Sequence, residues 1–298
     1  MLSKKKSDTK KQLKKIPTYV IGLDDILKGG LPFARTTMLI GGPGSGKTVL
    51  SMEFLYRGAL NGEAGIFFGF EEETDVLREN AGTMGWDIAK MEAQNKLFIM
   101  EGKIPHQTVV NGSFGLEPML GIISGKAKEM GAKRIVIDAL DVLFRLFDDP
   151  VKVRLQLFML HNWIAKSGLT AVITLKPRQN GEESPFQEFF YSMSDCVIFL
   201  DARVVNQIST RRMRVVKYRG SAFERNEYPY VITDNGIRTI PISIFELKHK
   251  PFSGRIPSGV KELDGMLGGG YNRSSCILIA GEPGTGKTLL SASFVKTV

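Results

Sequence analysis

A chain of 298 residues with 43% hydrophobic and 24% charged residues is sized for one large domain or two smaller ones, with the balance of an ordinary soluble globular protein. No apolar run approaches the roughly 20 residues that cross a bilayer, no apolar core follows the lysine-rich N-terminus as in a secretory signal, and two cysteines with three scattered histidines form neither a disulfide framework nor a metal cluster, so a reducing, cytoplasmic compartment is expected. The formal net charge of +9 is lopsided: Lys4, Lys5, Lys6, Lys10, Lys11, Lys14 and Lys15 against Asp8 put +6 into residues 1–15, so the total does not mark the whole chain as a nucleic-acid binder.

Residues 1–15 carry almost nothing apolar and read as a disordered basic tail, either solvated or a basic arm that touches phosphates. Short apolar runs then alternate with helix-period segments. Strands are predicted over 36–41, 65–70, 134–138, 170–175 and 196–200, and helices over 47–60, 74–84, 115–130 and 151–167. This is the pattern of an α/β domain with a mostly parallel sheet flanked by helices. It ends in β-rich runs at 211–218 and 229–233 joined by a polar turn at 220–227, an expected antiparallel extension. Residues 16–242 are taken as the first domain and 243–253 as a linker.

An internal repeat sets the organisation. Ile16-Pro17 recurs as Ile256-Pro257, and the match continues without a gap at a constant spacing of 240 residues: Leu23-Asp24 with Leu263-Asp264, Leu27 with Leu267, Gly29-Gly30 with Gly269-Gly270. Gly-Gly-Pro-Gly-Ser-Gly-Lys-Thr at 41–48 pairs with Gly-Glu-Pro-Gly-Thr-Gly-Lys-Thr at 281–288, and Leu50, Ser51 and Phe54 with Leu290, Ser291 and Phe294. Residues 254–298 therefore read as the start of a second tandem copy, cut short before its later strands and its acidic metal residue.

The run Gly41, Gly42, Pro43, Gly44, Ser45, Gly46, Lys47, Thr48 fits G-x-x-x-x-G-K-[ST] and lies between a predicted strand and a predicted helix, as that motif requires. Glycines let successive backbone N–H groups turn inward around phosphates, and the helix start adds its positive end. Lys47 supplies a compact cation, the Thr48 hydroxyl a Mg²⁺ ligand, and Val49 the next backbone contact. Gly284, Thr285, Gly286, Lys287 and Thr288 repeat these roles, with Thr288 as metal ligand. Asp138, at the end of the apolar strand Ile135-Val136-Ile137, can hold Mg²⁺ through water; Asp141, three residues on, could compete for that role but reads better as a cap of the following helix. Glu71, Glu72 and Glu73 follow a strand directly and can face the terminal phosphate from the end of a neighbouring strand. Glu73 suits a helix start, and at least one of Glu71 and Glu72 is expected to orient or deprotonate the attacking water. Lys217 and Arg219, two apart near a strand end, share a face; spacing alone leaves them open between a solvated pair and a functional one.

Taken together the two phosphate loops, Phe70-Glu71-Glu72, Asn80-Ala81 with Gly85-Trp86, Arg134-Ile-Val-Ile-Asp138, and above all Lys217-Tyr-Arg-Gly220 with Glu227-Tyr-Pro-Tyr-Val-Ile-Thr-Asp234 resemble the KaiC family of the RecA superfamily. The resemblance covers about 16–241 and resumes from about 256. It implies a RecA-like P-loop NTPase core, ATP with Mg²⁺ as cofactors, a catalytic pair at Glu71 and Glu72, and a homo-oligomer, as a hexameric ring, with nucleotide between subunits. Lys217 and Arg219 would then reach the neighbouring subunit's nucleotide, and Thr83, Ser221 and Asp234 would make further nucleotide contacts. The sequence departs from the family at Phe223, where relatives carry histidine. The family's autophosphorylated Ser/Thr pair lies beyond the second phosphate loop, so autokinase activity is assigned only to a longer form.

Three functions compete at this point. An oligomeric regulator with slow ATP hydrolysis, open to protein partners and with a possible clock or signalling role, uses every motif above. A DNA-interacting recombinase or helicase-like motor would need binding loops, and 176–185 carries two cations against two anions and no aromatic to stack bases, which weakens that reading without excluding it. A non-hydrolysing scaffold would not need Glu71, Glu72 and Asp138.

Overall fold

The computed structural model describes residues 13–102, 115–144, 149–177, 185–205, 207–240 and 254–297. Most of the expected tail, the linker at 243–253 and the centre of the 176–185 segment lie outside the described residues. Lys15, expected in the tail, instead opens the first strand: Lys15–Ile16 (β1) runs antiparallel to Leu31–Pro32 (β2), with the short helix Leu23–Ile26 (α1) between them. Its ammonium donates to Leu27 O at 2.6 Å and to Ser221 Oγ at 2.8 Å, which fixes the chain one residue earlier than charge alone suggested.

Helices and parallel strands then alternate. Thr36–Gly41 (β3) leads into Lys47–Leu60 (α2), followed by Gly65–Gly69 (β4), Thr74–Thr83 (α3), Ile88–Ala93 (α4) and Leu97–Glu101 (β5). Next come Glu117–Met130 (α5), Arg134–Asp138 (β6), Leu140–Phe144 (α6), Pro150–Ser167 (α7), Thr170–Leu175 (β7) and Pro185–Met193 (α8). Cys196–Val205 (β8), Ile208–Tyr218 (β9), Glu227–Thr233 (β10) and Gly236–Thr239 (β11) finish the sheet. The nine strands lie in the order β11-β10-β9-β8-β3-β7-β6-β4-β5. Strands β8 through β5 are mutually parallel, and β9, β10 and β11 add an antiparallel flank. The expected RecA-like plan of a mostly parallel, helix-flanked sheet is present.

β3, β4, β6 and β7 are buried along their whole length, so they read as continuous apolar runs rather than alternating ones. Their side chains still alternate between two cores. Leu39, Val136 and Val172 pack with Leu50, Phe54 and Leu55 of α2 on one face, while Met38, Ile40, Ile135 and Ile173 pack with Leu157 and Leu160 of α7 on the other. β8 runs five residues beyond the predicted end because its outer half pairs antiparallel with β9, where Asp201 and Arg203 face solvent and tolerate polar composition.

Arg134 is an ion buried between α2 and the sheet, fully enclosed. Its guanidinium donates to Phe54 O at 2.7 Å, Pro17 O at 2.9 Å and the Glu63 carboxylate at 2.9 Å, and stacks 4.4 Å from the Phe54 ring centroid. Gly58 makes room for it: a methyl there would sit 2.4 Å from Arg134 Nε.

The chain divides into two compact units, Met1–Ile242 and Ser243–Val298. Within the second, Arg255–Ile256 (β12) pairs antiparallel with Tyr271–Asn272 (β13), and Lys261–Met266 (α9) and Lys287–Thr297 (α10) are helical. Among the described residues, 276–281 form no strand, unlike 36–41, which pair with β7 and β8. Leu278 and Met266 are 89% and 84% exposed, whereas the matching Met38 and Ile26 are 0% and 3% exposed.

Because Arg134→Leu leaves the Phe54 and Pro17 carbonyls without their donor and the partly exposed Glu63 without its partner, it is expected to lower unfolding stability by about 2–4 kcal/mol in urea titration. A loss below about 1 kcal/mol would show that Arg134 does not hold α2 to the sheet.

Candidate functional site

The carboxyl ends of the parallel strands share one edge of the sheet, and β3 delivers the 41–48 loop there. Gly44 and Gly46 take φ of 71° and 83°, a region that only glycine enters without strain. Gly46 immediately precedes α2, and no side chain caps that helix start, so its first N–H groups are available to an anion. Ser45 folds the loop on itself, donating from Oγ to Gly42 O at 2.7 Å. Lys47 Nζ lies inside the loop, 2.7 Å from Gly41 O and 3.1 Å from Gly42 O.

Thr48 is the bridge to the acidic side. Its hydroxyl donates to Asp138 Oδ2 at 3.0 Å, and Thr174 Oγ1 donates to the other carboxylate oxygen. Thr174 in turn accepts the Ala139 N–H at 2.7 Å. Burial pushes the Asp138 carboxyl above its usual range, opposed by the two threonine hydrogen bonds and by Lys47. Burial likewise lowers Lys47, opposed chiefly by Asp138. Sequence reasoning missed Thr174; the signal was a hydroxyl near the end of an otherwise apolar buried run. Asp141 does not cap a helix. It lies within α6 and accepts the Lys176 N–H at 3.3 Å, tying down the end of β7.

The glutamates sit farther along the sheet than a neighbouring strand would place them. β7 and β6 lie between β3 and β4, so β4 is roughly 14 Å from β3 at ordinary strand spacing. Glu72 nevertheless reaches the phosphate side: with Thr48, Val49, Asn80, Thr83 and Trp86 it lines a cavity of about 220 Å³. Partial burial, then Asp138 and Glu71, raise the Glu72 carboxyl, which strengthens it as a proton acceptor. Glu71 is ion-paired with Lys176 Nζ, and Glu73 is the N-cap residue of α3. The exposed Asp234 lies in the β10–β11 turn, whose flank packs on Gly46 through Ile232.

Lys217, Arg219 and Ser221 are elsewhere. Lys217 pairs with Val197 and the Arg219 N–H bonds Asp195 O, level with the beginning of β3. For Arg219 that is the opposite edge of the sheet from the loop that follows Gly41, roughly 16 Å away along a strand, while Lys217, level with Met38, is roughly 10 Å along it. Arg219 Nη2 donates to Ser192 O at 2.6 Å and Lys217 Nζ to Tyr191 O, so both cations rest on the last turn of α8. Ser221 is beside Lys15, and Phe223 is packed partly buried against the core. One chain thus presents an anion cradle with carboxylates at one end and a pair of cations at the other.

In the second unit the loop 281–288 has the same local form. Gly284 and Gly286 have φ of 87° and 88°, Thr285 Oγ1 donates to Glu282 O at 2.8 Å, and Lys287 Nζ lies 2.7 Å from both Gly281 O and Glu282 O. Thr288 follows at the start of α10. No helix among the described residues is long and apolar enough to cross a membrane.

The family model described as ATPase: KaiC matches residues 16–244 and 256–298. Similar curated proteins include the circadian clock protein KaiC2 of Synechocystis, 39% identical over 286 residues, covering 95% of this chain and 50% of that protein. The circadian clock oscillator protein KaiC of Prochlorococcus marinus subsp. pastoris is 37% identical over 292 residues, covering 96% and 57%. That of Synechococcus elongatus is 35% identical over 300 residues, covering 99% and 57%. The chain thus spans about half the length of these relatives. With the phosphate-loop fold and a family match across most of its length, the chain belongs to the KaiC ATPase family.

Proposed function

We propose that this chain binds ATP with Mg²⁺ at the 41–48 loop and hydrolyses it slowly, as an oligomeric regulator in which the cation edge of one copy completes the phosphate edge of the next. The observation that carries this reading is the split of the candidate residues between opposite edges of one sheet. Lys217 and Arg219 cannot meet the phosphate held by their own Lys47, whereas a head-to-tail neighbour brings such edges together, and repetition of that contact closes a ring. A hexamer is the ring that the family resemblance implies.

In this reading the loop amides and Lys47 hold the phosphates, and Glu71 or Glu72 orients the water. Thr48 and Asp138 fit a divalent cation: both offer hard oxygen donors 3.0 Å apart, and the carboxylate is buried beside Lys47. Mg²⁺ keeps water and phosphate ligands, so a hydroxyl and one carboxylate are the protein donors it needs. Bound there, it would neutralise phosphate charge and polarise the terminal phosphoryl group. The 284–288 loop is proposed as a second nucleotide site. The relatives' clock names motivate a regulatory role in which nucleotide state sets assembly or partner binding; autokinase chemistry is left to the longer proteins.

Lys47→Ala removes the cation at the cradle's centre, so ATP affinity in the first unit should fall by about 100-fold or more. An unchanged dissociation constant in a variant with Lys287→Ala alongside, which removes the second loop's contribution, would refute the site. Glu71→Gln together with Glu72→Gln should leave ATP bound while turnover falls about 10²–10⁴-fold, since only the water's activation is lost. Normal phosphate release by that variant would remove both glutamates from catalysis.

A further inference from the structure

Glu53 is a carboxylate two turns into α2 with a fully buried side chain. Such a group is tolerated only where donors satisfy it, and here they come from two directions. Arg57 Nε donates at 2.6 Å from the same helix, and the Ile237 N–H donates at 2.7 Å from β11. Gly236, at φ 106°, brings the hairpin backbone so close that a methyl group there would stand 2.5 Å from the Glu53 carboxylate. Arg57 completes the tie by donating to Asn235 O at 3.2 Å. The β10–β11 hairpin is therefore bolted to the helix that begins at the phosphate loop.

The other strand of that hairpin touches the loop itself. Tyr230 donates from its hydroxyl to Ser45 O at 2.5 Å, in a buried bond. Ile232 Cδ1 fills the space above Gly46, where an added methyl would meet it at 2.7 Å. Across a planar trans peptide the N–H points opposite to the C=O. Holding the Ser45 carbonyl toward Tyr230 thus turns the Gly46 N–H the other way, away from the hairpin.

We propose that Glu53 is a positioning residue: it anchors the β10–β11 hairpin so that Tyr230 fixes the Ser45–Gly46 peptide with its amide facing the bound phosphate. This rests on the ATP-site reading above and extends it to residues outside the phosphate-loop motif. Glu53 acts on ground-state grip rather than on the attacking water, which is handled from the far side of the cavity. Its loss should therefore weaken nucleotide binding and spare turnover at saturation.

The test titrates the whole chain with ATP and Mg²⁺ and follows phosphate release. Glu53→Leu strands the Ile237 N–H, so KM and the ATP dissociation constant should rise about tenfold while kcat stays within about twofold. Glu53→Gln keeps an acceptor for that N–H and should recover most of the affinity. Tyr230→Phe should reproduce the weakened binding, and combining it with Glu53→Leu should cost no more than the worse single change. If Glu53→Leu does not fold, Gly236→Ala applies the same push from the hairpin side and should raise KM alike. Lowered thermal stability with unchanged KM, or additive losses in the double variant, would overturn the clamp while leaving the ATP site intact. Absence of ATP binding by the unmodified chain would overturn the underlying reading and the clamp with it.

Discussion

The buried Asp138 carboxylate, held by Thr48 on one oxygen and Thr174 on the other, is the interaction on which the site's geometry depends. It joins three elements that sequence separates widely: the helix start after the phosphate loop, the end of β6 and the end of β7. β7 lies between β3 and β6, so without Thr174 the carboxylate would have no partner on the strand that separates it from the loop. Burial alone would drive Asp138 toward its neutral form, and the two hydroxyls with Lys47 oppose that drift. A buried carboxylate whose two oxygens are already met by hydroxyls is suited to a cation that arrives with phosphate.

The sheet converts this local arrangement into a two-ended molecule. Its parallel centre places every strand's carboxyl end on the phosphate edge. The antiparallel return of β9 brings Lys217 back to the other edge, where it and Arg219 lie on the carbonyls of the α8 C-terminus, a favourable resting place for cations. The same β9–β10–β11 flank then returns to the phosphate edge through Tyr230, Ile232 and Ile237. A single continuous ribbon thus touches the α8 end and the phosphate edge of the same sheet.

Much of this was legible before any coordinates, and what was not has physical reasons. The 41–48 loop was readable because its glycines, lysine and threonine are each required by local backbone geometry and charge. The buried strands were readable because parallel strands covered on both faces are uninterrupted apolar runs. Strand order was not: nothing in Gly65–Gly69 reports that two strands separate it from β3, and the expectation that Glu71 and Glu72 follow an adjoining strand failed there. β5, α4 and α8 escaped because they are short, five, six and nine residues long. Thr174 and Glu53 escaped for a different cause. Each is a polar residue inside an apolar stretch, and its meaning lies wholly in a partner, Asp138 or Ile237, far away in sequence.

The most direct measurement of a site shared between copies is phosphate release from mixtures of two inactive variants. Arg219→Ala subunits keep the phosphate cradle and lose the donated cation, and Lys47→Ala subunits do the reverse. Mixed at equal concentration after dissociation and reassembly, they should regain a fraction of wild-type turnover, because some interfaces pair an intact cradle with an intact Arg219. Turnover in the mixture no higher than the sum of the separate variants would contradict a site completed by the neighbouring copy.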